Sequence, residues 1–209
     1  MKKLFLLLAA AIISLPGAMA QDVDVFVKAG VGMSNYIGKD VESSDVKFSY
    51  RLGVGLDVPM KNIWGFQTGL YLTGLGSQFS ETYMGAKLEE KLKPLYLELP
   101  IMATVNVPLN DSFKMQIAAG PYLAVGVGGK ATASAEYEGR KLEESIDLFG
   151  DADDGNAGMK RFDCGLGVNI NFEVKRIIFG LDTRFGLTRV LEGSKSHNLS
   201  AQFVVGYRF

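Results

Sequence analysis

The chain has 209 residues, with 22 Lys and Arg against 23 Asp and Glu for a net charge of −1, and 25 glycines against 6 prolines. This near-neutral balance leaves no electrostatic footprint for a nucleic-acid partner, and the length fits one domain. A single cysteine, Cys164, excludes an internal disulfide framework, and abundant glycine with little proline suits a sheet with close backbone approaches better than disorder.

The chain opens with Lys2 and Lys3, an apolar run from Leu4 to Leu15, a helix-breaking Pro16-Gly17 and then Ala18-Met19-Ala20. This order of charged, apolar and small residues is that of a secretory signal peptide over residues 1–20, cleaved between Ala20 and Gln21. The apolar run is too short for a helical span, which needs about 20 residues. No cysteine near the cleavage point suggests a lipoprotein. Residues 21–209 are then a single exported domain.

Past the leader, apolar residues recur at period two. Val25, Val27, Ala29 and Val31 oppose Asp24, Phe26, Lys28 and Gly30. The clearest stretch follows: Phe48, Tyr50, Leu52, Val54, Leu56 and Val58 share one face, and Lys47, Ser49, Arg51, Gly53, Gly55 and Asp57 share the other. A 3.6-residue period would scatter these around an axis, so they read as strands. The same alternation runs through residues 63–77, 95–107, 113–128, 162–172, 179–187 and 199–209, eight stretches in all. Each is long enough to cross a bilayer when tilted, which takes about 9–11 residues. Tight links at 59–62, 108–111 and 173–176 alternate with longer polar loops at 38–46, 78–93, 129–160 and 188–197. Short and long connections in turn are what an up-and-down meander gives when one rim is trimmed and the other elaborated.

Period two does not itself say which face is the interior, and a soluble lipocalin-like barrel has the same period. The polar face here carries mostly Gly, Ser, Thr and Asn with scattered charge, where a water-facing surface is dense in Lys and Glu. Aromatics on the apolar face gather near strand ends. Trp64, Phe66, Phe113, Phe172, Phe179, Tyr207 and Phe209 fall at the short-turn rim, while Phe48, Tyr50, Phe162 and Phe185 fall toward the long loops. Two such belts are expected where rings meet lipid headgroups. The fold expected is therefore all-β: an eight-stranded antiparallel up-and-down transmembrane β-barrel in the cell outer membrane, with lipid outside and polar residues inside.

The stretch "PLYLELPIMATVNVP" (94–108) carries a family resemblance through Tyr96, Leu97, Glu98, Leu99 and Pro100. It is similar to the Tyr-Leu-Glu-Ile-Pro motif of PorT-like outer-membrane β-barrel proteins, with Leu99 where Ile is common. Together with the leader, the meander and the final Tyr-Arg-Phe, the resemblance extends over the whole mature chain. It implies a small barrel of OmpA- or OmpX-type size and little about activity.

Inward charges supply the most informative constellation: Lys28, Arg51, Glu98, Asp163, Asp182 and Arg184, placed near mid-depth with both signs present. An eight-stranded interior is just wide enough for side chains to fill it, so pairing is expected, with Glu98 against Arg51, Lys28 or Arg184. A salt-bridged polar filling outweighs a selective narrow pore.

His197 sits in "EGSKSHN" near Glu192, Ser194 and Ser196, but residues on one loop lack the fixed geometry of a catalytic group. The acidic stretch 147–156 fails the calcium-loop pattern, because position six from Asp151 is Asn156 and position twelve is Phe162. Cys164 falls on an apolar face and reads as packed and inert.

The reading is a non-enzymatic outer-membrane barrel without cofactor or metal, acting in envelope structure or in surface interaction through its long loops, above all 129–160. Its partners would be membrane lipid, an unknown protein or surface ligand at those loops, and the outer-membrane assembly machinery. A strand ending in Phe209 resembles the signal that this machinery reads. A narrow channel and an accessory role in secretion are the alternatives.

Overall fold

The structure is a computed structural model and describes residues 23–38, 44–83, 86–110, 112–137, 140–150, 155–189 and 196–209. The leader and the cleavage position Ala20/Gln21 lie outside the described residues. Ten strand segments are present among those described: β1 (Asp24–Gly38), β2 (Ser44–Pro59), β3 (Trp64–Gly74), β4 (Ser77–Tyr83), β5 (Ala86–Asn110), β6 (Phe113–Tyr137), β7 (Arg140–Asp147), β8 (Phe162–Val174), β9 (Ile177–Gly186) and β10 (Ser196–Arg208).

They make eight staves. β3 and β4 both lie between β2 and β5, so they are one stave interrupted at Leu75 and Gly76, and β7 pairs only with β6. Every neighbour is antiparallel, and β10 returns to β1 in an unbroken register from Phe26↔Arg208 to Gly38↔Ser196. This closure matters because no water in the bilayer core can satisfy a free strand edge.

Parity decides what faces lipid. In β10, Phe203 is 74% exposed while its neighbour Gln202 is fully buried, and in β2 Phe48 is 66% exposed beside fully buried Ser49. The same inversion of an ordinary core runs along β8, where Phe162, Leu166, Val168 and Ile170 are exposed and Asp163, Asn169 and Asn171 are buried. Cys164 shares that outward side, half-buried and free.

Short links join β2 to β3, β5 to β6 and β8 to β9 at one rim. Asn62 and Lys175 adopt left-handed backbone there, with φ of 59° and 57°. Such φ values are what tight reversals demand.

The opposite rim departs from the expectation of irregular loops. Residues 78–93 are largely strand, and 129–160 contains the β6–β7 hairpin. β5 and β6 run 25 residues each. At a strand's rise that is about 80 Å, roughly twice what a tilted span requires. Along β7 the alternation test finds nothing because residues 142–147 are exposed on both faces, so the ladder there needs no apolar side. Cross-strand polar pairs serve instead, such as the Thr132 and Ser145 hydroxyls at 2.9 Å.

Inward glycines make room for inward rings. A Cβ on Gly55 would come within 2.1 Å of the Phe26 ring, which is fully buried. A Cβ on Gly53 would come within 2.5 Å of the Tyr71 ring. Gly55→Leu is therefore expected to overpack the lumen and destabilise the barrel by about 1–3 kcal/mol. Val54→Leu, one residue away on the lipid face, should be neutral. Heat-modifiable gel migration of the two variants across a temperature series checks this.

Candidate functional site

Inward parity and the register stack the polar side chains in tiers along the lumen. Glu98 of β5 occupies the middle. Arg51 of β2 reaches it with both terminal nitrogens, Nη2 to Oε1 at 2.8 Å and Nη1 to Oε2 at 3.2 Å. From β9, Arg184 donates Nε to the same Oε1 at 2.7 Å, and its Nη1 donates to Asn169 Oδ1 at 2.6 Å. Thr73 adds a hydroxyl donor at 3.3 Å, and the Arg51 guanidinium lies 4.0 Å from the Tyr71 ring centre. One carboxylate thus holds two cations from strands on different sides of the barrel.

Lys28 does not join that cluster. Its ammonium faces Asp182 at 3.9 Å, a contact of charge without a hydrogen bond, and lies 5.2 Å from the Phe26 ring centre. Asp163 is separate again, nearer the long-loop rim. It accepts from Tyr122 at 3.1 Å, from Asn198 at 2.9 Å and from the Thr188 hydroxyl. The six expected charges therefore form three groups rather than one mid-depth set.

A fourth group was not anticipated. Near the short turns, Arg208 of β10 binds Glu173 of β8 at 2.9 Å, Asp57 of β2 at 3.0 Å and Asp24 of β1 at 3.0 Å. Lys114 approaches Glu173 at 3.2 Å, and Gln116 donates to Asp57 at 2.7 Å and to Asn106 at 2.8 Å. Arg208 and Asp57 have the inward parity that the sequence gives them, while Glu173 falls in the expected 173–176 link; what period two does not supply is which of them meet.

At the other end the lumen becomes apolar. Leu148, Phe149 and Met159 follow the β6–β7 hairpin and pack inward against Tyr36, Leu92 and Tyr96. Phe149 meets Tyr96 edge-on, with ring centres 5.6 Å apart. The returning segment is pinned by backbone bonds from Leu148 N to Gly129 O at 3.1 Å and from Met159 N to Leu148 O at 3.0 Å. Arg161 donates to the carbonyls of Phe149 and Gly126 at 3.0 and 3.3 Å. The Leu148-Phe149 pair inside a polar stretch was the available hint.

The remaining expected residues are placed as follows. In the motif, Tyr96, Glu98 and Pro100 are buried on the lumen side, and the Pro100 carbonyl accepts from Thr68 at 2.8 Å. Leu97 and Leu99 point outward. Phe113, Phe172 and Phe179 stack in a row at 5.8 Å spacings near the short turns, with Trp64 and Phe66 on the outward side of β3. Tyr207 and Phe209 meet edge-on at 5.3 Å. His197 lies in β10 rather than in a loop. Its Nδ1 is 3.1 Å from the Thr188 carbonyl and its ring lies against Phe185, neither of which can relay a proton. Glu192, Ser194 and residues 151–154 of the acidic stretch lie outside the described residues.

A closed antiparallel ring with lipid-type side chains outside and ion pairs inside is the architecture of an outer-membrane barrel, and the family model for the outer membrane protein beta-barrel domain matches residues 19–192. The chain belongs to that family. The outer-membrane barrel is thus located in the cell outer membrane, and the match stops just short of β10, the strand that closes the ring. Among solved structures, the chain is similar to Ail of Yersinia pestis bound to the heparin analogue sucrose octasulfate, at 12% identity and a TM-score of 0.44. That alignment covers 90% of this chain and 100% of that one. It is also similar to Neisserial surface protein A, at 10% identity and a TM-score of 0.47 over 90% and 100% of the two chains. The translocator domain of the autotransporter NalP from Neisseria meningitidis aligns at 12% identity and a TM-score of 0.34 over 97% and 95%. No curated protein matches the chain.

Glu98→Gln leaves Arg51 and Arg184 buried without their carboxylate, a change that costs about 3–5 kcal/mol when a buried pair is broken from one side. The expected outcome is a large drop in the urea midpoint in detergent micelles, measured by tryptophan fluorescence of Trp64.

Proposed function

We propose that this outer-membrane barrel is a closed, non-enzymatic scaffold that presents the β6–β7 hairpin for surface interaction. The observation that carries the reading is the crossing of the lumen by Arg51-Glu98-Arg184 below a mouth packed with Leu148, Phe149 and Met159. Buried ion pairs in an eight-stranded barrel take the volume that a water path needs. What is left for recognition is the outer surface, and loops on a rigid frame commonly serve that role. The hairpin stands clear of the membrane span, and Leu142 is 77% exposed on it. Acidic Glu143, Glu144 and Asp147 lie exposed on the same strand.

In this reading the outward rings of Trp64, Phe66, Phe113, Phe172, Phe179 and Tyr207 anchor the lower membrane interface. Phe209 at the end of β10 is the contact read by the outer-membrane assembly machinery. The match of Tyr96, Leu97, Glu98, Leu99 and Pro100 supports a place among PorT-like barrels. In that motif Glu98 is the lumen clamp and Tyr96 part of the mouth packing. The 1–20 leader with cleavage after Ala20 supplies export.

Two measurements test the proposal. Purified protein in planar bilayers should give no steady conductance steps; stepwise currents would establish the channel instead. Replacing residues 133–144 by a short turn should leave insertion intact yet fail to complement a deletion strain. Full complementation by that variant would remove the hairpin's role, while loss of complementation by His197→Ala with normal insertion would favour a rim enzyme.

A further inference from the structure

Beyond the membrane β7 is the terminal strand of its sheet, paired with β6 on one side and with no strand on the other among the described residues. Leu148 N donates to the Gly129 carbonyl at 3.1 Å, which continues the β6–β7 ladder. The even-numbered residues of β7 are therefore the ones bonded to β6, and the odd-numbered ones turn their backbone N–H and C=O toward the outer edge. At Asp147 that edge is occupied, because its carbonyl accepts from Ala157 N at 3.0 Å. What is left is the stretch nearer the tip, and a strand edge in water is a template for one more strand.

The residues along this edge select the partner. Arg140, Lys141, Leu142, Glu143 and Glu144 run positive, positive, apolar, negative, negative, a pattern antisymmetric in charge about Leu142. Laid antiparallel on a second copy of itself with Leu142 at the centre, the run sets Lys141 opposite Glu143 and Arg140 opposite Glu144. The two-fold axis repeats both pairs, so opposite charges meet on either side of the centre, where like charges would be destabilising. The backbone agrees with this register. Lys141 and Glu143 are both odd-numbered, so they form the hydrogen-bonded pairs across the new edge. Leu142 then meets its twin in a non-hydrogen-bonded pair, where side chains approach more closely. It is the most exposed large apolar side chain among the described residues, and this contact removes it from water.

Direction excludes a neighbour in the same membrane. Every copy inserted there runs β7 from the tip back toward the bilayer, so two such strands lie parallel. Parallel and in register, Arg140 faces Arg140 and Glu144 faces Glu144. An antiparallel partner has to come from a membrane that faces the first. Leu142 is placed for that, beside the last rung of the hairpin at Tyr137↔Arg140 and at the far end of β6.

We propose that β7 pairs with β7 of a second copy in a facing membrane, antiparallel and centred on Leu142, so that the barrel joins two outer-membrane surfaces. One such contact is short, and many copies on two surfaces supply the avidity. The pairing rests on the hairpin's role in surface interaction and deepens it by naming the partner. The test places the full chain in two sets of phosphatidylcholine vesicles carrying different dyes and counts mixed clusters by flow cytometry. Wild type on both sets should cluster, and Leu142→Asp on both should lower clustering about tenfold, as two carboxylates then meet on the axis. Arg140→Glu and Glu144→Lys should each do the same alone. Mixing Arg140→Glu vesicles with Glu144→Lys vesicles should restore wild-type clustering, because opposite charges face each other again in every pair. Leu142→Cys with Cys164→Ser should give, under mild oxidation, a covalent dimer that joins the two sets. Absence of wild-type clustering, clustering with protein-free vesicles, no rescue on mixing, or covalent dimers confined to one set overturns the proposal. The first of these leaves the hairpin's role standing, since complementation by the trimmed variant decides that separately. Insertion of each variant is checked by heat-modifiable migration.

Discussion

The ladder between β1 and β10 is the constraint on which everything else depends. Thirteen register pairs from Phe26↔Arg208 to Gly38↔Ser196 turn an open sheet into a ring. Without them two edges of unpaired amides would face hydrocarbon, each group costing several kcal/mol. Closure also fixes the width of the interior. With eight staves that width is one side chain from each wall, so whatever points inward must meet what points inward opposite.

Lumen chemistry follows from that crowding. Glycines lie beneath Phe26 and Tyr71 because two large side chains do not fit on neighbouring staves at one height. Charges sit at depth only where a partner reaches them from another strand, as with Arg51 and Arg184 on Glu98. The interior then grades from ion pairs near the short turns, through the Glu98 clamp, to the apolar packing of Tyr96, Phe149 and Leu148 at the mouth.

Which face each residue takes was readable from the chain alone wherever lipid lay on one side. The membrane imposes an apolar residue at every second position, and β2 and β8 obey this along their spans. Beyond the bilayer the imprint fades. β7 reads as a polar loop in sequence, yet it is a strand held to β6 by eight register pairs. Pairing across the lumen was only partly legible. That Glu98 needs cations follows from burial, but whether Lys28 or Arg184 reaches it depends on stagger, which period two leaves undetermined. The Arg208 group was hidden for the same reason, its members being spread over β1, β2, β8 and β10.

Arg208 has a bearing on how one register is selected. A slip of one residue between β10 and β1 would turn every lipid-facing side chain inward and is excluded by hydrophobicity. A slip of two preserves inside and outside, so lipid cannot detect it. Charge can. Such a slip moves the guanidinium roughly 7 Å along the seam, away from Asp24 and Asp57, while Glu173, held to β10 through β9, moves with it. Two carboxylates across the seam, read by a guanidinium that Glu173 holds from behind, act as a vernier on a sheet whose hydrophobic pattern resolves only odd from even.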